Sequence, residues 1–478
     1  MTPEAIGFAL LLIGVVLLVA KLIRVRWKLA QRLFLPSSII GGGIALLLGP
    51  GVFGRLAAAM GTDRFVEGGL WGGGVLQVWS ALPGLLISVV FAGLFLGRRI
   101  PNLRYAGRLA APQIALGLTF SSGQYVVGLL LALLVLGPVF GLPPLTGALI
   151  EIGFEGGHGT AAGLDETFAQ AGFPEGEDLA LGMATIGLLT GIIAGIVLIN
   201  WGVRTGRTRE LTSTAKPSVA ERMGVVEREN RTAAATLTVH PSSIEPLALH
   251  FGLLAIAVIL GQLLLWGLQA LERMLWADTI ELFAFVPLFP LAMIGGIVMQ
   301  LVIDRFDRLQ VVDRQMVERI QGFALDALII SALGTLSLQV IAANLVPFLL
   351  LAATGVLYCI GVFLFLAPRM LPSYWFERGI GDLGQSLGVT ATGLILMRIA
   401  DPELRTPAYP AFGYKQLIVE PFFGGGLITA AAVPLIVQFG APPLLIAMAV
   451  LLVVSLLLGL LVFGRRREEP VAAAPPAP

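Results

Sequence analysis

Residues 151–163, EIGFEGGHGTAAG, decide the fold of this chain. The segment is apolar enough to enter a membrane, but its clustered glycines and the polar Glu155 and His158 interrupt it. Such a broken segment is tolerated at membrane depth only where protein or a water-filled cavity surrounds it. We therefore predict a re-entrant hairpin near residues 144–164. The stretch GDLGQSLGVTATG, residues 381–393, has the same character and predicts a second hairpin near 376–397.

The rest of the chain predicts a membrane protein with many spanning helices. It is 56% hydrophobic and 13% charged over 478 residues, whereas soluble domains average about 25% charged residues. Runs of about 20 apolar residues cross a bilayer as helices. We predict such spans near residues 5–23, 34–49, 76–97, 109–137, 179–203, 248–271, 282–303, 322–343, 345–368, 417–438 and 441–463.

The basic residues predict the orientation of these spans. With the N-terminus outside and the C-terminus in the cytoplasm, 28 of the 31 lysines and arginines fall in cytoplasmic segments. Short cytoplasmic loops carry an excess of Lys and Arg, so this arrangement is favoured. We expect a multi-pass membrane protein in contact with lipid.

Three pairs of short segments match in the same order in the two halves of the chain. They are 34–42 with 288–296, 82–88 with 325–331, and 159–164 with 389–394. In the predicted topology the first half starts outside and the second starts inside, so the repeats are antiparallel. Inverted repeats with broken segments meeting near the midplane are an architecture of secondary transporters.

We therefore predict an all-α polytopic fold with about ten core transmembrane helices, two re-entrant hairpins and one additional C-terminal helix. The predicted segments are an N-terminal half (1–203), a cytoplasmic linker (204–247), a C-terminal half (248–438), an additional helix (439–464) and a disordered cytoplasmic tail (465–478).

The hairpins contain the residues expected to bind a small polar substrate. Freed backbone groups and hydroxyls at the ends of half-helices suit a carboxylate or Na⁺. The candidate substrate ligands are Gly156, Gly157, His158, Gly159 and Thr160 in the first hairpin, and Gln385, Ser386, Thr390 and Thr392 in the second.

Ionisable groups inside a membrane are costly and are functional candidates by default. The candidate residues for ion binding or coupling are Glu155, Asp326 and Asp382, together with the polar Gln124. A structural ion pair or a helix cap is the alternative role for each of them, and for Glu420 this alternative is favoured.

Other classes of function have weaker support. The single cysteine, Cys359, excludes an intrachain disulfide, and three scattered histidines do not predict a metal cluster. The net charge of +1 gives no indication of nucleic-acid binding, and we expect no cofactor. Gly-Ile-Gly-Asp at 379–382 is similar to a motif of intramembrane aspartyl proteases, which would need Asp326 as the second aspartate.

The motifs Gly-Gly-His-Gly-Thr (156–160), Ala-Thr-Ile-Gly-Leu (184–188) and Leu-Gly-Val-Thr-Ala-Thr (387–392) resemble the bacterial sodium:glutamate symporter family. The resemblance extends over about residues 5–438. It implies two inverted five-helix halves, each with a re-entrant hairpin, in a homodimer that works by an elevator-type movement. It also implies coupling of glutamate uptake to Na⁺, with substrate between Gly156–Thr160 and Ser386–Thr392.

Two positions depart from the pattern of that family. Glu155 stands where the family commonly has serine, and residues 384–392 lack one glycine and one proline of the family motif. A carboxylate beside an anionic substrate repels it unless the carboxyl is protonated or paired with a cation.

The leading hypothesis is therefore Na⁺-coupled symport of glutamate or a related amino acid. The first alternative is a transporter of the same fold with another substrate or with H⁺ coupling through Glu155. A protease using Asp326 and Asp382 and a channel are further alternatives. The leading hypothesis implies that the protein is not an enzyme.

Overall fold

The computed structural model describes residues 3–33, 35–97, 103–210, 220, 223–275, 283, 286–402 and 405–465, and for residues 103–108 the backbone alone. This part of the chain is helical and contains no strand. Its principal helices are α1 Pro3–Arg26, α2 Ser37–Leu47, α3 Gly73–Ala92, α4 Leu103–Leu131, α5 Leu149–Phe154, α6 Gly157–Gly163, α7 Glu175–Arg204, α8 Pro246–Leu275, α9 Leu288–Phe306, α10 Arg314–Thr335, α11 Leu345–Gly361, α12 Trp375–Ala400, α13 Ala408–Val419, α14 Leu427–Phe439 and α15 Ala441–Leu457.

Among the described residues, ten helices are long and apolar enough to cross a membrane. The prediction of an all-α polytopic membrane protein is thereby confirmed. Residues 466–478 of the tail predicted at 465–478, and part of the predicted linker, including 211–219, lie outside the described residues. The inverted orientation of the repeats and the re-entrance of the hairpins stay predictions.

Two predicted spans have different bounds in the structure. The span predicted near 322–343 is α10, which begins at Arg314 because the Asp313 side chain accepts a hydrogen bond from the Gln315 N–H and caps the helix. The helix ends at Thr335, where Leu336 becomes extended. A capped helix can thus begin in polar residues, which a span predicted from hydropathy leaves out.

The span predicted near 417–438 is wrong as a continuous helix. The chain between α13 and α14 contains Pro421, which has no N–H to donate, and Gly424 and Gly425 with φ of 69° and 99°. This break frees backbone N–H groups inside the protein, and one of them, on Gly424, belongs to the site described below.

The helices form two compact units, each built from both halves of the chain. The first unit comprises residues 1–100, 162–170 and 217–343 and contains α1–α3 and α8–α10. The second comprises residues 101–161, 171–216 and 344–478 and contains α4, α5, α7 and α11–α15. The predicted segment boundaries stay untested.

Glycines let the helices of the first unit approach closely. At Gly42 of α2 a Cβ atom would lie 2.7 Å from the Cβ of Leu333 in α10. At Gly261 of α8 it would lie 2.5 Å from the backbone nitrogen of Ala292 in α9. Buried apolar side chains, with Trp79 fully enclosed, fill the remaining space.

Candidate functional site

Helix α12 is a helical hairpin, not a straight rod. Its backbone leaves helical geometry at Gly388 and Val389, and Val389 has φ 62° and ψ 169°. A Cβ on Gly384 would lie 2.8 Å from the Cα of Gly393, and one on Gly381 would lie 2.5 Å from Met397 Sδ. In a straight helix residues 381 and 397 would be about 24 Å apart, at 1.5 Å per residue. The chain therefore reverses at residues 388–389.

The first predicted hairpin segment is broken at Glu155 and Gly156, between α5 and α6. Gly157, at the start of α6, has φ 73°, a left-handed conformation that glycine adopts without steric cost. A Cβ at Gly157 would collide with the Cγ1 of Val389. The break in the first segment and the tip of the second hairpin are therefore in direct contact, within the second unit.

Glu155 is buried at this contact and is held by polar partners. The Ser121 hydroxyl of α4 lies 2.8 Å from each of its carboxylate oxygens, and Gln385 Nε2 donates to Oε1 at 3.2 Å. The other end of the Gln385 side chain, Oε1, accepts a hydrogen bond from Lys415 Nζ. Gln385 thus connects the carboxylate of Glu155 to the ammonium of Lys415.

Asp382 is also fully buried and lies beside the same ammonium. Its Oδ1 is 3.4 Å from Lys415 Nζ, and its Oδ2 accepts a hydrogen bond from Gln113 Nε2 at 2.7 Å. Gln113 in turn accepts a hydrogen bond from Arg378 Nε at 2.9 Å. Two cations and two carboxylates therefore lie in one network, and a buried charge of this kind is tolerated only when it is paired and hydrogen-bonded.

A second buried carboxylate of the first hairpin segment, Glu151, anchors the broken helix. Its Oε2 accepts a hydrogen bond from the Tyr125 hydroxyl at 2.6 Å. Its Oε1 accepts from the Gly424 N–H and the Thr429 hydroxyl, both at 2.8 Å. The glycine-rich break between α13 and α14 is thus fixed to α5 by hydrogen bonds.

His158 is buried and pairs with α7. Its Nε2 lies 3.0 Å from the Thr185 hydroxyl, which itself donates to the Leu181 carbonyl. These contacts pair His158 with α7, and the tautomer of the imidazole decides which of His158 and Thr185 donates.

The hydroxyls of the two segments differ in their partners. Thr160 and Thr392 donate to carbonyls four residues earlier, those of Gly156 and Gly388. These donations leave the lone pairs of the threonine oxygens available. The Thr390 hydroxyl accepts a hydrogen bond from Gln416 Nε2 at 2.5 Å.

Gln124 and Ser386 present polar atoms without partners. Gln124 Nε2 donates to the Ser386 carbonyl at 2.7 Å. The Gln124 Oε1 and Ser386 Oγ atoms are buried and have no hydrogen-bond partner among the described residues. A buried polar atom without a partner is costly and calls for a ligand or another explanation.

The structure therefore brings most candidate residues together in the second unit and leaves one apart. Those in the second unit are Gln124, Glu155, Gly156, Gly157, His158, Gly159, Thr160, Asp382, Gln385, Ser386, Thr390 and Thr392. Asp326 belongs to α10 of the first unit, where it is partly buried. Glu420 is half-buried, and its Oε1 lies 3.4 Å from the Thr390 hydroxyl.

Sequence reasoning missed Lys415, Arg378, Gln113 and Glu151 as parts of this network. The predicted topology places Lys415 and Arg378 in cytoplasmic segments, but their side chains are buried, at 0% and 1% exposed. One signal was available: Arg378 and Asp382 are four residues apart, so a helix places them on one face.

The arrangement does not support a protease. A pair of catalytic aspartates shares a proton, but the partners of the Asp382 carboxylate are Lys415 and Gln113. Asp326 belongs to the other unit.

Comparison with known protein families matches residues 5–399 to the family described as sodium/glutamate symporter. No curated protein matches the chain. The match covers α1 to α12 and both segments that meet at Gly157 and Val389. The chain belongs to the sodium/glutamate symporter family.

Proposed function

We propose that this protein is a secondary active transporter that couples uptake of glutamate or a related amino acid to Na⁺ entry across the bacterial inner membrane. Membership of the sodium/glutamate symporter family supports Na⁺-coupled transport of glutamate. The observation that carries the proposal is the contact between Gly157 and Val389, beside a buried polar network within one unit. Two broken segments that meet at polar groups form a site that can be occluded from both sides.

Na⁺ has suitable ligands where α4 meets the second hairpin. The unpartnered Gln124 Oε1 and Ser386 Oγ atoms are neutral oxygens, the ligand type that hard cations prefer. We propose that these two atoms contribute to the Na⁺ site. We place the substrate at the hairpin tips, Gly156–Thr160 and Ser386–Thr392, as the resemblance to the family implies.

The second unit holds every candidate ligand except Asp326. An elevator-type mechanism requires that substrate and ion move together with the helices that bind them. The distribution of the ligands supports this mechanism, and we propose that the second unit is the element that moves, in a homodimer.

Uptake of labelled glutamate into proteoliposomes tests the proposal. We expect uptake driven by an inward Na⁺ gradient and no accumulation when choline replaces Na⁺. Ser386→Ala should raise the Na⁺ concentration for half-maximal uptake severalfold. Ser331→Ala removes a buried serine from the first unit and should leave that concentration unchanged. Accumulation without Na⁺ would refute the coupling, and a panel of amino acids and dicarboxylates would identify the substrate.

H⁺ coupling through Glu155 is the second candidate, and the burial of this carboxylate at the hairpin contact favours it. The ammonium of Lys415 contacts Glu155 only through Gln385, so the negative charge of Glu155 has no cation in direct contact among these residues. Under Na⁺ coupling, Glu155→Gln should retain Na⁺-dependent uptake with the pH profile of the wild type. A variant that loses its pH dependence while the wild type works without Na⁺ would assign the coupling to Glu155.

A further inference from the structure

The ammonium of Lys415 lies in a cage of oxygen atoms. The side chain is 0% exposed, and Nζ is 2.9 Å from Gln416 Oε1 and 3.4 Å from Asp382 Oδ1. Its third oxygen partner is Gln385 Oε1. An ammonium has three donors and no acceptor; it donates hydrogen bonds to the two amide oxygens and forms an ion pair with Asp382.

The cage is built by groups other than the lysine itself. Gln113 fixes Asp382 through a hydrogen bond of 2.7 Å, and Glu155 fixes Gln385 through one of 3.2 Å. Gln416 is bonded to the Thr390 hydroxyl through its Nε2. These partners orient the three oxygens independently of the lysine, so the oxygens keep their positions when the lysine side chain is shortened.

One carboxylate oxygen and two amide oxygens are also the ligands of a hard monovalent cation. The ammonium of lysine and Na⁺ carry the same charge, and both bind through oxygen. Within the described residues the cage lies in α12 and α13, in the same unit as the break at Glu155 and Gly156 and the tip of the second hairpin. Lys415 and Gln416 lie beyond the residues matched to the family, which end at 399.

We propose that Lys415 occupies a monovalent-cation site with its own ammonium, and that this site binds Na⁺ when the lysine side chain is removed. The tethered charge neutralises Asp382 permanently and is never released to the cytoplasm. On the basis of the proposed function, the wild type therefore transports one Na⁺ fewer per substrate than a variant without the lysine side chain.

Equilibrium binding of ²²Na⁺ to purified protein in detergent tests the site without reference to any substrate. Lys415→Ala should bind one Na⁺ per chain more than the wild type. Lys415→Ala with Asp382→Asn removes the carboxylate of the cage and should lose the additional ion. Lys21→Ala is the matched control, because Lys21 donates to the backbone carbonyls of Met223 and Gly224 at a partly exposed position. An unchanged Na⁺ count in Lys415→Ala would overturn the proposal.

Stability of the variant gives a second measurement. A ligand that binds only the folded state at ten times its dissociation constant lowers the unfolded fraction about tenfold. Na⁺, but not choline, should therefore stabilise Lys415→Ala, and the double variant should not respond. A Lys415→Ala protein that is unfolded at every Na⁺ concentration contradicts the proposal, since the cage would then not hold the ion.

Transport provides the final arm. The reversal potential of uptake in proteoliposomes should give one more Na⁺ per substrate for Lys415→Ala than for the wild type. Equal values would refute the consequence for coupling. If the wild type takes up no glutamate, the proposed function fails, while the binding measurement still decides whether the cage is a cation site.

Discussion

Val389→Gly is the most direct test of the hairpin tip. Val389 combines φ 62° with ψ 169°, a region that is essentially restricted to glycine. A residue held in such a conformation costs about 1–3 kcal/mol. Glycine adopts this conformation without steric cost, so the substitution should recover that free energy.

The loss of the side chain opposes this gain. Full burial of a valine side chain contributes about 1.5–3 kcal/mol. Val389 is only partly buried, so we take about 1 kcal/mol as the loss. Glycine also costs about 1 kcal/mol because it gives the unfolded chain more conformational freedom. The net expectation for Val389→Gly is therefore a change in the free energy of unfolding between about −1 and +1 kcal/mol.

Val127→Gly is the matched control. Val127 is also partly buried, but it lies in the regular helix α4. Glycine in a helix interior costs about 1 kcal/mol relative to alanine. This variant loses the same side chain and carries the same cost of glycine without relief of strain, so it should be destabilised by about 2 kcal/mol.

Unfolding by SDS titration in mixed micelles, followed by circular dichroism, measures both values. The two variants should differ by at least about 1 kcal/mol in favour of Val389→Gly, the lower bound of the strain. Equal destabilisation would show that the tip stores no strain and would refute the reasoning.

Three further predictions concern the buried network and the close contacts. Glu151→Gln should lower the free energy of unfolding by about 2–4 kcal/mol in the same assay. The carboxylate accepts three hydrogen bonds, and in the variant an amide N–H₂ would face one of these donors. A change below about 0.5 kcal/mol would contradict this role. In Na⁺-free choline buffer, Lys415→Met should lower the free energy of unfolding by about 3–5 kcal/mol, and the further substitution Asp382→Asn should restore most of this loss. If the two substitutions instead destabilise the protein additively, Lys415 and Asp382 are not coupled. Gly393→Ala should lower the free energy of unfolding by about 1–3 kcal/mol, because its Cβ would collide with the backbone of the opposing arm of the hairpin. Gly252 has open space around it, so Gly252→Ala should be neutral or stabilising by up to about 1 kcal/mol. Similar destabilisation of both variants would refute the hairpin packing.

The sequence predicted those parts of the fold that local composition determines. Spans such as α1 and α8 follow from the length of an apolar run, and the reversal in α12 follows from clustered Gly, Ser and Thr. The break between α13 and α14 also had local signals, Pro421 and the glycines 424–426, but the hydropathy of the flanking residues concealed them.

The polar network could not be predicted in this way because its partners are distant in sequence. The pair of Gln113 and Asp382 is separated by 269 residues, and that of Gln385 and Glu155 by 230. A lysine beside an apolar run is typical of a membrane boundary, so Lys415 was assigned to the surface. Its burial depends on the carboxylate and amides that surround it, which only the tertiary fold brings together.

The hydrogen bonds of Glu151 also impose an order on biosynthesis. Its partners Gly424 and Thr429 follow it by 273 and 278 residues. At a translation rate of about 5–20 residues per second, they emerge roughly 15–55 s after it. During that interval the carboxylate lacks two of its three donors. The N-terminal part of the second unit must therefore wait in the membrane, incompletely packed, until the ribosome has delivered the last helices.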